Sequence, residues 1–376
     1  MTIRHNLTLL TALLLAPLAA IHAGDEPTLP SKPGGTVTTT PVPLATVTEQ
    51  RLPDGSIEPK NSIEQWQALG YGMFIHFGMA TYTGRPSEND PLNAKEPSSL
   101  YAPTHLDVDQ WIRVAHDAGM KYAVLTSKHS AGHCLWDSKV QFRGKEFDHD
   151  VATSGNKIDV VAEFVKACQK YGLMPGLYWC LEDYRNNSKP QATQRKLPLR
   201  DDFFQLAQDQ LTELPRRYPA VNYYWLDIPV AASATQRIAL YDLIKRQRPG
   251  TIVLFNHGAA KPNGPLTVAG CQSAWPTDVL NTERRPLQPG WFQPEQTWQG
   301  KTYQLGYEHC DTICKKWFWF EGDRPRPVSE LAKLYKDTHA AGGNLLLNVP
   351  PDRTGRIPEY HVKALMELKE EIKRED

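Results

Sequence analysis

The chain carries no net charge, with 42 acidic residues against 42 basic ones, so it has no electrostatic footprint for nucleic acid or an anionic membrane surface. Its six cysteines, at 134, 168, 180, 271, 310 and 314, are scattered rather than clustered. Some could be bridged outside the cytoplasm, but no pairing can be read from their spacing. Cys310 and Cys314 lie four apart without a second close pair to complete a zinc site. No Gly-x-Gly-x-x-Gly follows the first apolar strand, which argues against dinucleotide binding. The apolar run Leu7–Ile21 is shorter than the ~20 residues needed to span a bilayer, and Thr11 and Pro17 interrupt it. Internal repeats are also missing.

That N-terminal run has another reading. Arg4 and His5 precede it and His22-Ala23-Gly24 follows it, the order expected of a secretory signal peptide. We therefore expect residues 1–23 to direct export to the periplasm or beyond, leaving no membrane segment in the mature chain. Residues 24–55, with Pro27, Pro30, Pro33, Pro41, Pro43 and a threonine tract, read as a flexible spacer. Residues 56–376 remain for the fold.

In that region short apolar runs alternate with helical patterns. The strands expected are Tyr71–Phe77, Lys121–Ser127, Leu173–Trp179, Val221–Asp227, Ile252–Asn256, Leu266–Gly270, Gly306–Cys310 and Asn344–Val349. Between them apolar residues three and four apart predict helices over Val108–Ala118, Val160–Tyr171, Phe203–Tyr218, Thr235–Arg248 and Ser329–Ala341. Gly119 and Gly172 sit where helices should end. About eight strand–helix units favour a closed parallel (β/α)8 barrel of the TIM type over an open sheet. A helix from Pro358 to Lys373 comes last, so we expect a single domain without a C-terminal β-sandwich.

Active sites of such barrels lie at the C-terminal strand ends, and the sequence puts polar residues there: His76, Lys128, His129, Glu182, Asp183, Asp227, Asn256 and His257. Asp227 closes Tyr223-Tyr224-Trp225-Leu226-Asp227, where apolar and aromatic neighbours surround its carboxylate without pairing it; a helix N-cap is the alternative. His76 reads as a ligand-binding or a satisfied core histidine, and Lys128 as a catalytic group or a structural ion-pair partner. Aromatic residues, among them Tyr178, Trp179, Trp225, Trp291 and Trp317–Phe320, gather near the same ends. Aromatic faces beside imidazoles, amides and carboxylates suit a carbohydrate pocket.

With these pieces in place, the chain resembles glycoside hydrolase family 29, the α-L-fucosidases, from about Trp66 to Pro358. Tyr71–Gly78 is similar to the family's opening strand. Asp109-Gln110-Trp111, Ala118–His129 and Leu135-Trp136-Asp137-Ser138 resemble its most recognisable stretch. Gly176-Leu177-Tyr178, Trp225-Leu226-Asp227, Tyr307–Ile313, Gly343–Pro351 and Gly355–Pro358 complete the pattern.

The resemblance implies an exo-acting, retaining glycoside hydrolase that needs no metal or organic cofactor and releases L-fucose from glycoconjugates or polysaccharides. Its two carboxyl groups would stand about 5–5.5 Å apart. By the strand-four match Asp227 is the nucleophile. Glu283, in Asn281-Thr282-Glu283-Arg284, resembles one carrier of the acid, and Glu308 resembles another family glutamate; Glu283 is favoured. His76, Lys128, His129, Trp136, Tyr178, Trp225, Asn256 and His257 would bind the sugar. Three departures set the alternatives. The family's Lys-His-His-Asp-Gly reads Lys128-His129-Ser130-Ala131-Gly132, the glycine after the nucleophile is Ile228, and its Asn-Asp-Arg is Asn256-His257-Gly258. They point to a relative that binds sugar without turnover, or to a glycosidase for a different sugar. Oligomeric state is not legible.

Overall fold

The computed structural model describes residues 62–85, 89–187, 198–256, 273–298 and 301–374. The expected leader and spacer, the run Leu266–Gly270 and His257 lie outside them. Eight strands, β1 (Tyr71–Ile75), β2 (Tyr122–Lys128), β3 (Met174–Cys180), β4 (Tyr223–Asp227), β5 (Ile252–Asn256), β6 (Val279–Glu283), β7 (Gly306–Thr312) and β8 (Asn344–Asn348), form one sheet. Its order is β5-β4-β3-β2-β1-β8-β7-β6, every pairing parallel. The helices are α1 (Ser62–Gln67), α2 (Met79–Thr83), α3 (Val108–Asp117), α4 (Val160–Tyr171), α5 (Asp201–Arg217), α6 (Ala234–Gln247), α7 (Val328–Ala340) and α8 (Glu359–Lys373). Among the described residues no helix is long and apolar enough to cross a membrane.

The order leaves β5 and β6 as the two edges, and the segment entering β6 bridges them. Asp278 N–H donates to the Val253 carbonyl at 2.8 Å and Ala274 N–H to the Phe255 carbonyl at 2.9 Å. The sheet is therefore a nearly closed (β/α)8 barrel. This corrects the expected strand list: Val279–Glu283 fills the sixth position.

Alternation along the strands splits the core into two layers. Met73, Ile75, Leu125, Leu177, Trp179, Leu226, Phe255 and Leu347 face the helices. Phe74, Tyr122, Val124, Tyr178, Tyr223, Trp225, Leu254, Cys310 and Leu346 fill the bore. Trp66 of α1 packs edge-on against Tyr122 and Tyr223, with ring centroids 6.2 and 5.5 Å away, and so plugs the end of the bore away from the pocket described below.

Local chemistry sets the helix ends. Asp107, Asp159 and Ser233 cap the N-termini of α3, α4 and α6 through bonds to backbone N–H groups. Gly172 ends α4 at φ 70°, in the left-handed region that glycine enters without strain. The five described cysteines are buried and unbridged.

Candidate active site

The strands deliver their last residues to one cavity of about 150 Å³, lined by Phe74, His76, Asn89, His129, Tyr178, Trp225, Asp227, Ile228, Asn256, Glu283 and Trp317. Its floor is a ladder of rings. His129 stacks on Tyr178 with centroids 5.3 Å apart and planes 7° apart, and Tyr178 on Trp225 at 5.5 Å and 21°.

Asp227 ends β4 opposite Asn256 of β5 in the sheet register, and both its oxygens are held. Tyr178 Oη–H donates to Oδ2 at 2.7 Å and Asn256 Nδ2 to Oδ1 at 3.0 Å. Burial raises its pKa to about 6, although those two hydrogen bonds pull the other way. The next residue, Ile228, is left-handed at φ 53° and ψ 51°, a conformation costly for a β-branched side chain. The family's glycine would adopt it freely.

Both pocket imidazoles are neutral. Burial lowers His129 to about 3, assisted by the charge of Lys128. His76 is also well below the ordinary histidine value, first through burial and then through its neighbour His129. Its Nδ1 lies 2.8 Å from Asn348 Oδ1. Glu283, at the end of β6, faces the same cavity as Asp227.

Glu308 is elsewhere. Fully buried in the bore, it accepts from Tyr122 Oη at 2.8 Å, Tyr223 Oη at 2.9 Å, Trp225 Nε1 at 2.8 Å and Asn281 Nδ2 at 3.5 Å. Burial lifts its pKa to about 7 against those bonds. It supports the indole of Trp225 from behind and is not part of the cavity wall.

Two other expected sugar contacts also lie off the pocket. A register shift between Thr126 and Lys128 turns the ammonium of Lys128 to the outer layer. There it pairs with Asp183 Oδ2 at 3.0 Å, donates to the Cys180 carbonyl at 2.9 Å and stands 3.9 Å over the Trp179 ring, which is its structural reading. Trp136 is buried outside the barrel, its Nε1 donating to Glu213 Oε2 of α5 at 2.9 Å. The structure thus gathers His76, His129, Tyr178, Trp225, Asp227, Asn256 and Glu283, and leaves Lys128, Trp136 and Glu308 outside the wall.

Sequence reasoning named no role for Phe74, Asn89 or Ile228 in the lining. Trp317 was visible among the aromatics near the strand ends. Asn89 lies in the long connection between β1 and α3, where no periodicity or motif singles it out.

Comparison with known proteins follows the same lines. The family model described as Alpha-L-fucosidase matches residues 47–374. Alpha-L-fucosidase 1 of Arabidopsis thaliana is 28% identical over 83% of this chain. The chain spans about three fifths, 60%, of that relative's length. Among solved structures, alpha-L-fucosidase isoenzyme 1 from Paenibacillus thiaminolyticus superposes with a TM-score of 0.66 at 22% identity, covering 84% of this chain and 76% of that one. The alpha-L-fucosidase of Lactobacillus casei in complex with α-L-fucose product does so with a TM-score of 0.65 at 21% identity, covering 84% and 98%. These two likenesses carry the fold.

Proposed function

Because this chain belongs to the α-L-fucosidase family, glycoside hydrolase family 29, we propose that it is an exo-acting, retaining glycosidase that releases terminal L-fucose. The observation that carries the reading is a single-ring-sized cavity whose lining combines Asp227 and Glu283 with the rings of Tyr178, Trp225 and Trp317 and the neutral imidazoles of His76 and His129. In this scheme Asp227 attacks the anomeric carbon while Glu283 protonates the departing oxygen. Glu283 then takes a proton from water, whose oxygen displaces Asp227 and frees the sugar with its configuration retained. Tyr178 and Asn256 aim the nucleophile and share its charge; Glu308 steadies Trp225 and takes no part in bond making. The sequence of residues 1–23 supports an exported enzyme, so the substrate class is extracellular or periplasmic fucosylated glycan.

The test is hydrolysis of an aryl α-L-fucoside beside a panel of other aryl glycosides, by the wild-type protein and Asp227→Asn. Turnover of the fucoside that falls to background in the variant is the expected result. Release from another glycoside alone would move the substrate and keep the mechanism. Silence across the panel would leave a sugar-binding relative, the reading that the sequence departures Ser130, Ile228 and Gly258 favour.

A further inference from the structure

The partners of the two pocket imidazoles decide which nitrogen of each carries the proton. Asn348 donates its amide N–H to the Trp317 carbonyl at 2.7 Å, so its Oδ1 is the acceptor facing His76 Nδ1 at 2.8 Å. His76 Nδ1 is therefore protonated, and in a neutral ring Nε2 then bears a lone pair. No asparagine serves His129 directly. Its Nδ1 lies 3.1 Å from Ser130 Oγ, and that hydroxyl donates to Asn89 Oδ1, also at 3.1 Å. Having given up its one proton, the hydroxyl can only accept from His129, so here too Nδ1 is protonated and Nε2 is bare.

Neither Nε2 is hydrogen-bonded to a described residue, and both rings line the cavity. Asn256 adds a third acceptor. Its Nδ2 is committed to Asp227, while its Oδ1 is buried with no partner among the described residues.

We propose that Asn89 and Ser130 are positioning residues whose relay locks His129 in the Nδ1–H form, so that the pocket meets its ligand as an array of acceptors. The array is His76 Nε2, His129 Nε2, Asn256 Oδ1 and Asp227. It rests on the reading of the cavity as a sugar site and sharpens the ligand class: a neutral ring whose free hydroxyls donate. A carboxylate, sulfate or phosphate at these positions brings acceptors to acceptors and leaves buried groups unpaired. Ser130 stands where the family pattern has a second histidine, so that departure carries a role of its own.

Long-range 1H–15N spectra of protein labelled at histidine nitrogen report the tautomers whether or not anything is hydrolysed. Assigned through His76→Asn and His129→Asn, both rings should show the Nδ1–H pattern in the wild type. In Ser130→Ala, His129 should shift towards the Nε2–H form while His76 keeps its pattern, which also shows that the fold is intact. Asn89→Asp, whose carboxylate only accepts, should preserve the wild-type pattern. An Nε2–H pattern for His129 in the wild type, or an unchanged one in Ser130→Ala, would overturn the relay.

The acceptor array has its own arm. Replacing a ring hydroxyl of L-fucose by fluorine keeps a weak acceptor and removes the donor. Fluoro and deoxy sugars should therefore bind equally poorly, each weaker than L-fucose by about tenfold, the contribution of one hydrogen bond. A fluoro sugar that binds like L-fucose would overturn the array. Failure to hydrolyse any fucoside would instead count against the proposed function, since the tautomers are read without turnover.

Discussion

A single shifted carboxyl makes opposite demands on activity and on stability. Burial raises Asp227 from an ordinary 3.8 to about 6, yet as the proposed nucleophile it must be ionised to attack. We expect kcat/KM on the aryl fucoside to fall below about pH 6 with a slope of one proton. For stability, the folded state holds this proton more tightly than the unfolded chain does. Asp227's contribution is thus full below about pH 4 and is lost as pH rises through about 6. Buried histidines such as His76, His129 and His133, all lowered, work the other way: their contribution grows as pH rises towards the ordinary 6.5 and is full above it. The carboxyl's share is therefore read as a difference: the melting temperature of the wild type minus that of Asp227→Asn should decline between pH 4 and 7. A flat difference would mean that Asp227 is not buried as described.

Glu283 and Glu308 separate at the same scale. Oε1 of Glu308 takes three donors and Oε2 one, so a glutamine can keep the three and donate to the Tyr122 hydroxyl. Glu308→Gln should stay within about 1 kcal/mol of wild type and remain active. Glu283→Gln should lose about 10²- to 10⁴-fold in kcat for an alkyl leaving group, and less for an activated aryl one. Loss of activity in Glu308→Gln with a normal melting temperature would reverse the two assignments.

At the scale of elements, the bore is built by setting glycine beside large rings. A Cβ on Gly72 of β1 would stand 2.5 Å from the ring of Tyr122, its neighbour in β2, and one on Gly343 2.4 Å from Tyr307. Tyr122 is also a donor to Glu308. Gly72→Ala should cost about 1–3 kcal/mol, as overpacking does, visible as a lower melting temperature; an unchanged one would show that Tyr122 moves aside freely. The same packing explains what the sequence disclosed. β1 through β5 and β8 read clearly because parallel strands buried on both faces are continuously apolar or aromatic. β6 did not, because it spells Val-Leu-Asn-Thr-Glu. Asn281 bonds Glu308, Thr282 bonds His309 and Tyr307, and Glu283 faces the pocket. A strand whose last three side chains make polar contacts has no hydropathy signal, and the apolar run at 266–270 drew the reading away from it. The site divides on similar grounds. Residues ending strands were legible from barrel geometry, whereas Lys128 was misplaced by a local register shift, and Asn89 sits on a connection with no periodicity at all.

For the molecule as a whole, the weak point is the seam between β5 and β6, and the two carboxyls of the proposed mechanism flank it. Asp227 is held by Asn256 at the end of β5, and Glu283 ends β6. Beside the backbone bonds from Asp278 to Val253 and from Ala274 to Phe255, the side chain of Asp278 ties this seam at three points. Its Oδ1 accepts from Tyr241 of α6 at 2.5 Å, and its Oδ2 accepts from Val253 N–H at 2.9 Å and pairs with Lys245 Nζ at 2.5 Å. One carboxylate thus fastens a helix, a strand and the segment entering the next strand. Asp278→Ala would leave Lys245 buried without its counter-charge and Val253 without an acceptor, a loss of about 3–5 kcal/mol by the behaviour of broken buried pairs. The effect should be local before it is global. Amide exchange at Val253 and Phe255 should quicken, and fucoside hydrolysis should fail at temperatures where the variant is still folded, because a wider seam separates nucleophile from acid. If exchange rises evenly around the barrel while activity persists up to melting, the seam does not set the distance between the two carboxyls, and the barrel is closed by its other contacts.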